Sequence, residues 1–120
     1  VESVHVATCR LPLKYVTAFA TRTVSARDCG LVKIRSSDGI EGIGVARRAP
    51  RGGTIVTEAV EQLLAPILIG QDSHLVEGLR ERMFRKSLLH GRVGSVMRAI
   101  SIPDCALWDV NARAAWAMIR

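Results

Sequence analysis

The spacing of apolar residues changes once along this chain, from alternation before residue 50 to a helical repeat after residue 53, and that switch limits the fold more than any other feature. Val4 and Val6 alternate with polar neighbours. Residues 29–36 are rich in β-branched side chains, and residues 40–46 set Ile43 and Val45 against Gly42 and Gly44. Between these last two runs lies Ser37-Asp38-Gly39, where the glycine supplies the positive φ of a tight hairpin, so the second and third strands are expected to be antiparallel neighbours. Residues 14–28 are too many and too polar for a tight turn. They are expected to form an extended loop carrying Tyr15 and Phe19, and long loops in compact domains often carry function.

From Thr54 the apolar residues Ile55, Val56, Ala59, Val60, Leu63, Leu64, Ile67 and Leu68 form one wide helical stripe, with Thr54 as the cap, Pro66 bending the last turn and Gly70 ending it. A second helix after an Asp72 or Ser73 cap turns Leu75, Val76, Leu79, Met83 and Phe84 inward and Glu77, Arg80, Glu81 and Arg82 outward, until Gly91 and Gly94 break it. A third, kinked at Pro103, puts Met97, Ile100, Leu107, Trp108, Ala114, Ala115 and Met118 on related faces. Strands followed by helices without alternation predict an α+β fold: a three-stranded antiparallel meander near residues 3–11, 29–36 and 40–47, then a bundle of about three helices near 54–69, 74–88 and 94–117. At 120 residues this is one domain, with strands and loops in 1–53 and helices in 54–120.

An apolar content of 48% with 23% charged residues excludes a disordered tail, and no run is long enough for a membrane-spanning helix. The opening residues lack the pattern of a secretory signal, so the expected address is cytoplasmic. Cys9, Cys29 and Cys105 are odd in number and far apart, which reads as reduced and mostly buried thiols, and His5, His74 and His90 stand at no zinc-ligand spacing from them. A formal charge of +6 gathers at Arg47, Arg48 and Arg51 and again at Arg80, Arg82, Arg85, Lys86 and Arg92. This permits a basic interaction module that binds nucleic acid or a protein partner, as the alternative reading. The five aromatic residues are not interleaved with the arginines as a base-stacking platform requires, so nucleic acid is not the expected partner.

Motifs with chemistry are few. Gly42-Ile43-Gly44 lacks the third glycine and the following helix of a dinucleotide site, so close approach of neighbouring backbone explains it better. Arg51-Gly52-Gly53-Thr54 combines a guanidinium with free N–H groups at a helix start and reads as either an anion site or a flexible lead into the helix. Asp104 is expected to be partly buried and paired with an arginine such as Arg98, and Asp109, beside Trp108, to hold helix packing. No nucleophile elbow, paired metal-binding histidines or phosphate loop is found.

Several stretches taken together carry more information: CRLPLK, GLVKIRSSDGIEGIGVAR, EQLLAPILIGQD, and GRVGSVMRAIS leading into DCALWDVNARAA. In order and spacing they resemble, over nearly the whole chain, the N-terminal domain of the mandelate racemase and muconate lactonizing branch of the enolase superfamily. The chain departs from that pattern at Gly42-Ile43-Gly44-Val45, where relatives usually carry Gly-Trp-Gly-Glu, and at Pro103. The resemblance implies a capping domain that lids a modified barrel. It also implies, for the full-length family, magnesium-dependent abstraction of a proton α to a carboxylate, leading to racemisation, dehydration or cycloisomerisation of hydroxy or sugar acids.

In the family the bases and magnesium ligands come from the barrel. The resemblance therefore assigns no catalytic residue, no metal ligand and no cofactor to this chain, which is expected to be catalytically silent alone. Its loops after the first and third strands map to residues 14–27 and 47–53, making Tyr15, Phe19, Arg47, Arg48 and Arg51 the candidate specificity residues. The expected partners are the barrel domain or another copy of the chain, joined through an apolar face of Met97, Ile100, Leu107 and the surroundings of Trp116, with a small carboxylate substrate held only when a barrel is present.

Overall fold

The computed structural model describes residues 1–48 and 52–119. Strands β1 (Ser3–Ala18), β2 (Thr23–Arg35) and β3 (Glu41–Arg48) form one antiparallel meander in the order β1-β2-β3. The β2–β3 turn closes with Ser36 N–H donating to Ile40 C=O at 2.9 Å, and Gly39 takes φ +89°, a left-handed conformation that its side-chain-free backbone adopts without strain. The Ser36 hydroxyl donates to the Asp38 carboxylate and holds its pKa below the ordinary carboxylate range.

The loop expected between the first two strands is instead a continuation of both. Val24 pairs with Thr17 and Thr23 with Ala18, and Phe19 and Arg22 exchange backbone hydrogen bonds around the two residues at the tip. The β-branched residues Val16, Thr17, Thr23 and Val24 outweigh the polar composition that suggested a loop. A register shift between Pro12 and Thr17 makes a bulge in β1, where proline cannot donate to the ladder.

The helices cover one face of the sheet. Helix α1 (Gly52–Ala59) passes through a π-helical stretch (Val60–Leu64) into α2 (Ala65–Leu68), so the expected single helix is present with a changed register. Ala65 N–H donates to Val60 C=O, five residues back, immediately before Pro66, which has no N–H to give. Thr54 lies inside α1 and does not cap it, and Ile55 is exposed. Helix α3 (Val76–Lys86) begins after Leu75 without a side-chain cap; Asp72 accepts from His74 N–H instead, and Leu75 faces solvent. After a short 3₁₀ turn (Leu88–His90), helix α4 (Ser95–Ile119) runs unbroken through Pro103.

Val32 and Ile34 of the central strand pack with Val56, Val60, Leu64 and Leu68, with Leu79 and Met83 of α3, and with Ile100, Ile102, Leu107 and Val110 of α4. Burying each such side chain contributes about 1.5–3 kcal/mol. Gly42 and Gly44 let α4 lie directly on β3: a Cβ on Gly44 would meet Ile102 O at 1.9 Å, and one on Gly42 would meet Ala106 O at 2.3 Å. The exposed edge of β3 is partly closed as well, because Ile43 N–H donates to Asp109 Oδ2 at 2.9 Å, and Arg113 donates to the same oxygen at 3.0 Å. Asp109 therefore joins helix to sheet, as the packing role expected of it requires.

Candidate functional site

The register puts the two candidate loops at one end of the sheet. Asp28 pairs with both Arg10 of β1 and Arg48 of β3, and beyond that row, where β3 ends, the β1–β2 ribbon continues as a two-stranded arm. The arm leaves Leu11, Tyr15, Val16 and Phe19 exposed, Tyr15 to 77%, while Val24 is buried. Lys14 Nζ stands 5.5 Å from the centroid of the Tyr15 ring, a cation–π distance.

The root of the arm is tied together by a polar cluster that the sequence reading missed. Asp28 is 1% exposed. Its Oδ1 accepts from Arg10 Nε at 2.8 Å, its Oδ2 accepts from Arg10 Nη2 at 3.5 Å, and the same Oδ2 accepts from Gly53 N–H at 3.4 Å. The Asp28 carboxylate raises the Arg10 pKa above its ordinary value, first by the hydrogen bond and then by charge. Beside it the Thr8 and Thr57 hydroxyls meet at 2.7 Å, and Thr57 also donates to Gly53 C=O at 3.0 Å. A Cβ at Gly53 would lie 2.8 Å from Asp28 Cβ, so only glycine fits there.

Of the two readings left open for the start of α1, an anion site or a flexible lead, the Asp28 carboxylate bears on the first: it takes the Gly53 N–H, so the anion there is the protein's own. The pairing of a Gly-Gly helix start with an acidic residue at the mouth of a strand was the available signal. What sequence spacing cannot give is that residues 28 and 53 meet.

The candidate specificity residues are not gathered into one cluster. Tyr15 and Phe19 stand on the arm, while Arg47 is exposed on the sheet face opposite the helices, in one cross-strand row with Cys9 and Cys29. Arg48 extends β3 opposite Asp28, and Arg51 lies outside the described residues. The row itself corrects the expectation of mostly buried cysteines: Cys29 is buried, Cys9 is half-buried, and Cys105 is exposed on the outer side of α4. Burial first, and the adjacent Cys29 second, push the Cys9 thiol up.

Elsewhere, Asp104 is half-buried. Its Oδ1 has no hydrogen-bond partner among the described residues, and burial raises its pKa against the opposing charge of Arg80 on α3, not Arg98 as expected. Arg98 is six positions away along the same helix and faces solvent, whereas α3 packs across from Asp104. Ile100 and Leu107, expected on an exposed apolar face, belong to the core because α4 lies flat on the sheet, and Met97 is partly buried against them. Exposure concentrates instead at the end of α4, at Trp116, Met118 and Ile119. Nearby, His74, Leu75, Trp108, Asn111, Ala115 and Met118 line a groove of about 600 Å³ between α3 and α4.

On α3 the basic residues Arg80, Arg82, Arg85 and Lys86 are interleaved with Glu77 and Glu81, and Arg85 pairs with Glu81 at 2.6 Å. Among the described residues no group of three or more His, Cys, Asp or Glu side chains is arranged to hold a metal ion, so the residues present do not fit a magnesium site. None of the helices of the described residues is long and apolar enough to cross a membrane.

The meander, the helices packed on one face and the two loops at one end match a known domain. Residues 1–119 match the N-terminal domain of mandelate racemase and muconate lactonizing enzyme. The chain belongs to this family. A D-mannonate dehydratase from a Caulobacter species is 35% identical over 104 residues, 86% of this chain and 25% of the relative. A 3,6-anhydro-α-L-galactonate cycloisomerase from Streptomyces coelicolor is 35% identical over 80 residues, 67% of this chain and 22% of the relative. A racemase from Streptomyces coelicolor solved with bound magnesium superposes with a TM-score of 0.91 at 30% identity, over 95% of this chain and 32% of its own. The chain thus spans about a quarter of the length of the curated relatives it matches, and as a mandelate racemase-type N-terminal domain it has the α+β fold expected of it.

Proposed function

We propose that this domain caps the active site of a mandelate racemase/muconate lactonizing-type enzyme acting on a hydroxy or sugar acid. In this reading the arm and the β3–α1 segment select the substrate, and a barrel domain carries the base and the magnesium ligands. The observation that carries it is that the arm leaves the same end of the sheet at which β3 ends, where Asp28 ties Arg10 at the arm's root to Gly53 at the start of α1. Tyr15 and Phe19 supply apolar cover that excludes water, while Arg47, with Arg48 and Arg51, offers cations to a carboxylate. The division of labour leaves the metal to the barrel and gives this chain alone no turnover. The exposed end of α4 provides the apolar contact to the barrel, or to a second copy of the chain.

Grafting residues 11–27 and 46–53 onto the D-mannonate dehydratase of Caulobacter tests the reading. The profile of sugar acids accepted should change through KM and kcat together, while exchange of the proton α to the carboxylate persists. An unchanged profile refutes the selection role. The purified chain should show no magnesium-dependent turnover of mandelate, muconate or sugar acids, and turnover abolished by EDTA would overturn the silent role.

A further inference from the structure

Cys9 and Cys29 are directly opposed on neighbouring antiparallel strands, one row from the Arg10–Asp28 pair that closes the root of the arm. Opposed residues in such a ladder have Cα atoms about 4.5–5.5 Å apart, inside the range of about 4.4–6.8 Å that a disulfide spans. Both side chains project to the sheet face opposite the one on which Gly30 and Val32 meet the helices. Cys9 is half-buried and reachable, whereas Cys29 is covered, so an incoming reagent meets Cys9 first. Cys105 is exposed on α4, away from this row.

We infer that Cys9 and Cys29 form a dithiol site that a small disulfide or comparable two-electron thiol oxidant converts to a cross-strand disulfide, stapling the root of the arm. With oxidised glutathione the step balances. The Cys9 sulfur attacks one glutathione sulfur and releases one glutathione thiolate; the Cys29 sulfur then attacks Cys9 Sγ and releases the second. Two protein thiols are oxidised, one glutathione disulfide is reduced, and the two thiol protons pass to the released thiolates. Attack needs the thiolate, which the burial of Cys9 disfavours, so a mildly alkaline solution and excess reagent are the suitable conditions. The staple joins β1 to β2 beside the Arg10–Asp28 pair, and so holds the arm's root closed without relying on that pair.

The test uses the full 120-residue chain carrying Cys105→Ser, which removes the exposed third thiol. After treatment with oxidised glutathione and blocking of remaining thiols with iodoacetamide, trypsin should yield residues 1–10 joined to residues 28–33, and dithiothreitol should separate them. Formation of this linked peptide should be at least about tenfold faster in the folded chain than in the same chain held unfolded in urea, because the sheet pre-positions the sulfurs. The Cys29→Ser chain should stop at a mixed glutathione disulfide on Cys9. Alkylation of both cysteines after oxidation, linkage between two molecules, a Cys9 adduct that persists although Cys29 is present, or equal rates folded and unfolded would each overturn the inference.

Discussion

Replacing Gly44 with alanine tests how closely α4 sits on the sheet. The new methyl carbon would lie 1.9 Å from Ile102 O, 2.9 Å from Ile102 C and 3.2 Å from Ala106 N, all backbone atoms of α4 that no rotamer change can move. To restore an ordinary contact the helix must retreat by more than about 1 Å, which loosens the packing of Ile102, Ala106 and Val110 against β2 and β3 and forfeits a large part of their dispersion contacts. Alanine recovers about 0.5–1 kcal/mol of the backbone entropy that glycine loses in a strand. Overpacking of a core contact costs about 1–3 kcal/mol, with rigid backbone at the upper end, so the clash wins and the net loss should be about 2 kcal/mol. For a domain of this size that lowers Tm by about 8 °C. Gly78 supplies the control: a Cβ there meets nothing within 4 Å, so Gly78→Ala in α3 should gain about 0.5–1 kcal/mol. Thermal unfolding followed by circular dichroism reads both, and a Gly44→Ala chain melting within about 2 °C of the parent would refute the direct helix-on-strand contact.

Asp28→Asn keeps the shape but loses the charge-assisted bonds to Arg10 and Gly53; it should cost about 1–3 kcal/mol in urea unfolding, and no change would mean that the cluster does not anchor α1. Asp104 has a raised folded pKa, so its ionised form weakens the fold at neutral pH and the penalty disappears once pH falls below its unfolded pKa of about 3.9. Asp104→Asn should therefore raise Tm at pH 7 and lose that advantage toward pH 3; a constant or inverted difference would show that burial does not govern this carboxylate. Asp38 works in the opposite sense: its depressed pKa contributes stability above the unfolded pKa that is lost as pH falls through the folded value, and Asp38→Asn should flatten that acid limb. The exposed Trp116, Met118 and Ile119 should drive self-association of the isolated chain, which light scattering across a dilution series reads; a strict monomer at every concentration would contradict it.

The change of apolar period near residue 50 was enough to fix the class of fold and the order of its elements, since alternation and the helical repeat each leave a local mark. Gly42 and Gly44 were legible as points of close approach, although the sequence did not say that α4 is what approaches. The family was legible in its longer motifs because they span several elements at fixed spacing. The arm was not: Tyr15 and Phe19 sit among polar residues whose composition resembles a loop, and strand formation there depends on pairing with a partner strand, which propensity does not encode. Nor could spacing show that Ile100 and Leu107 are buried while Trp116 is exposed, because a helix with apolar residues on several faces does not announce which face meets the sheet. Asp28 gives the plainest case. Its side chain is an ordinary acidic residue until tertiary folding brings Arg10 and the Gly53 N–H to it, eighteen and twenty-five residues away along the chain, and contacts across such distances depend on how the elements pack and on nothing local to the sequence.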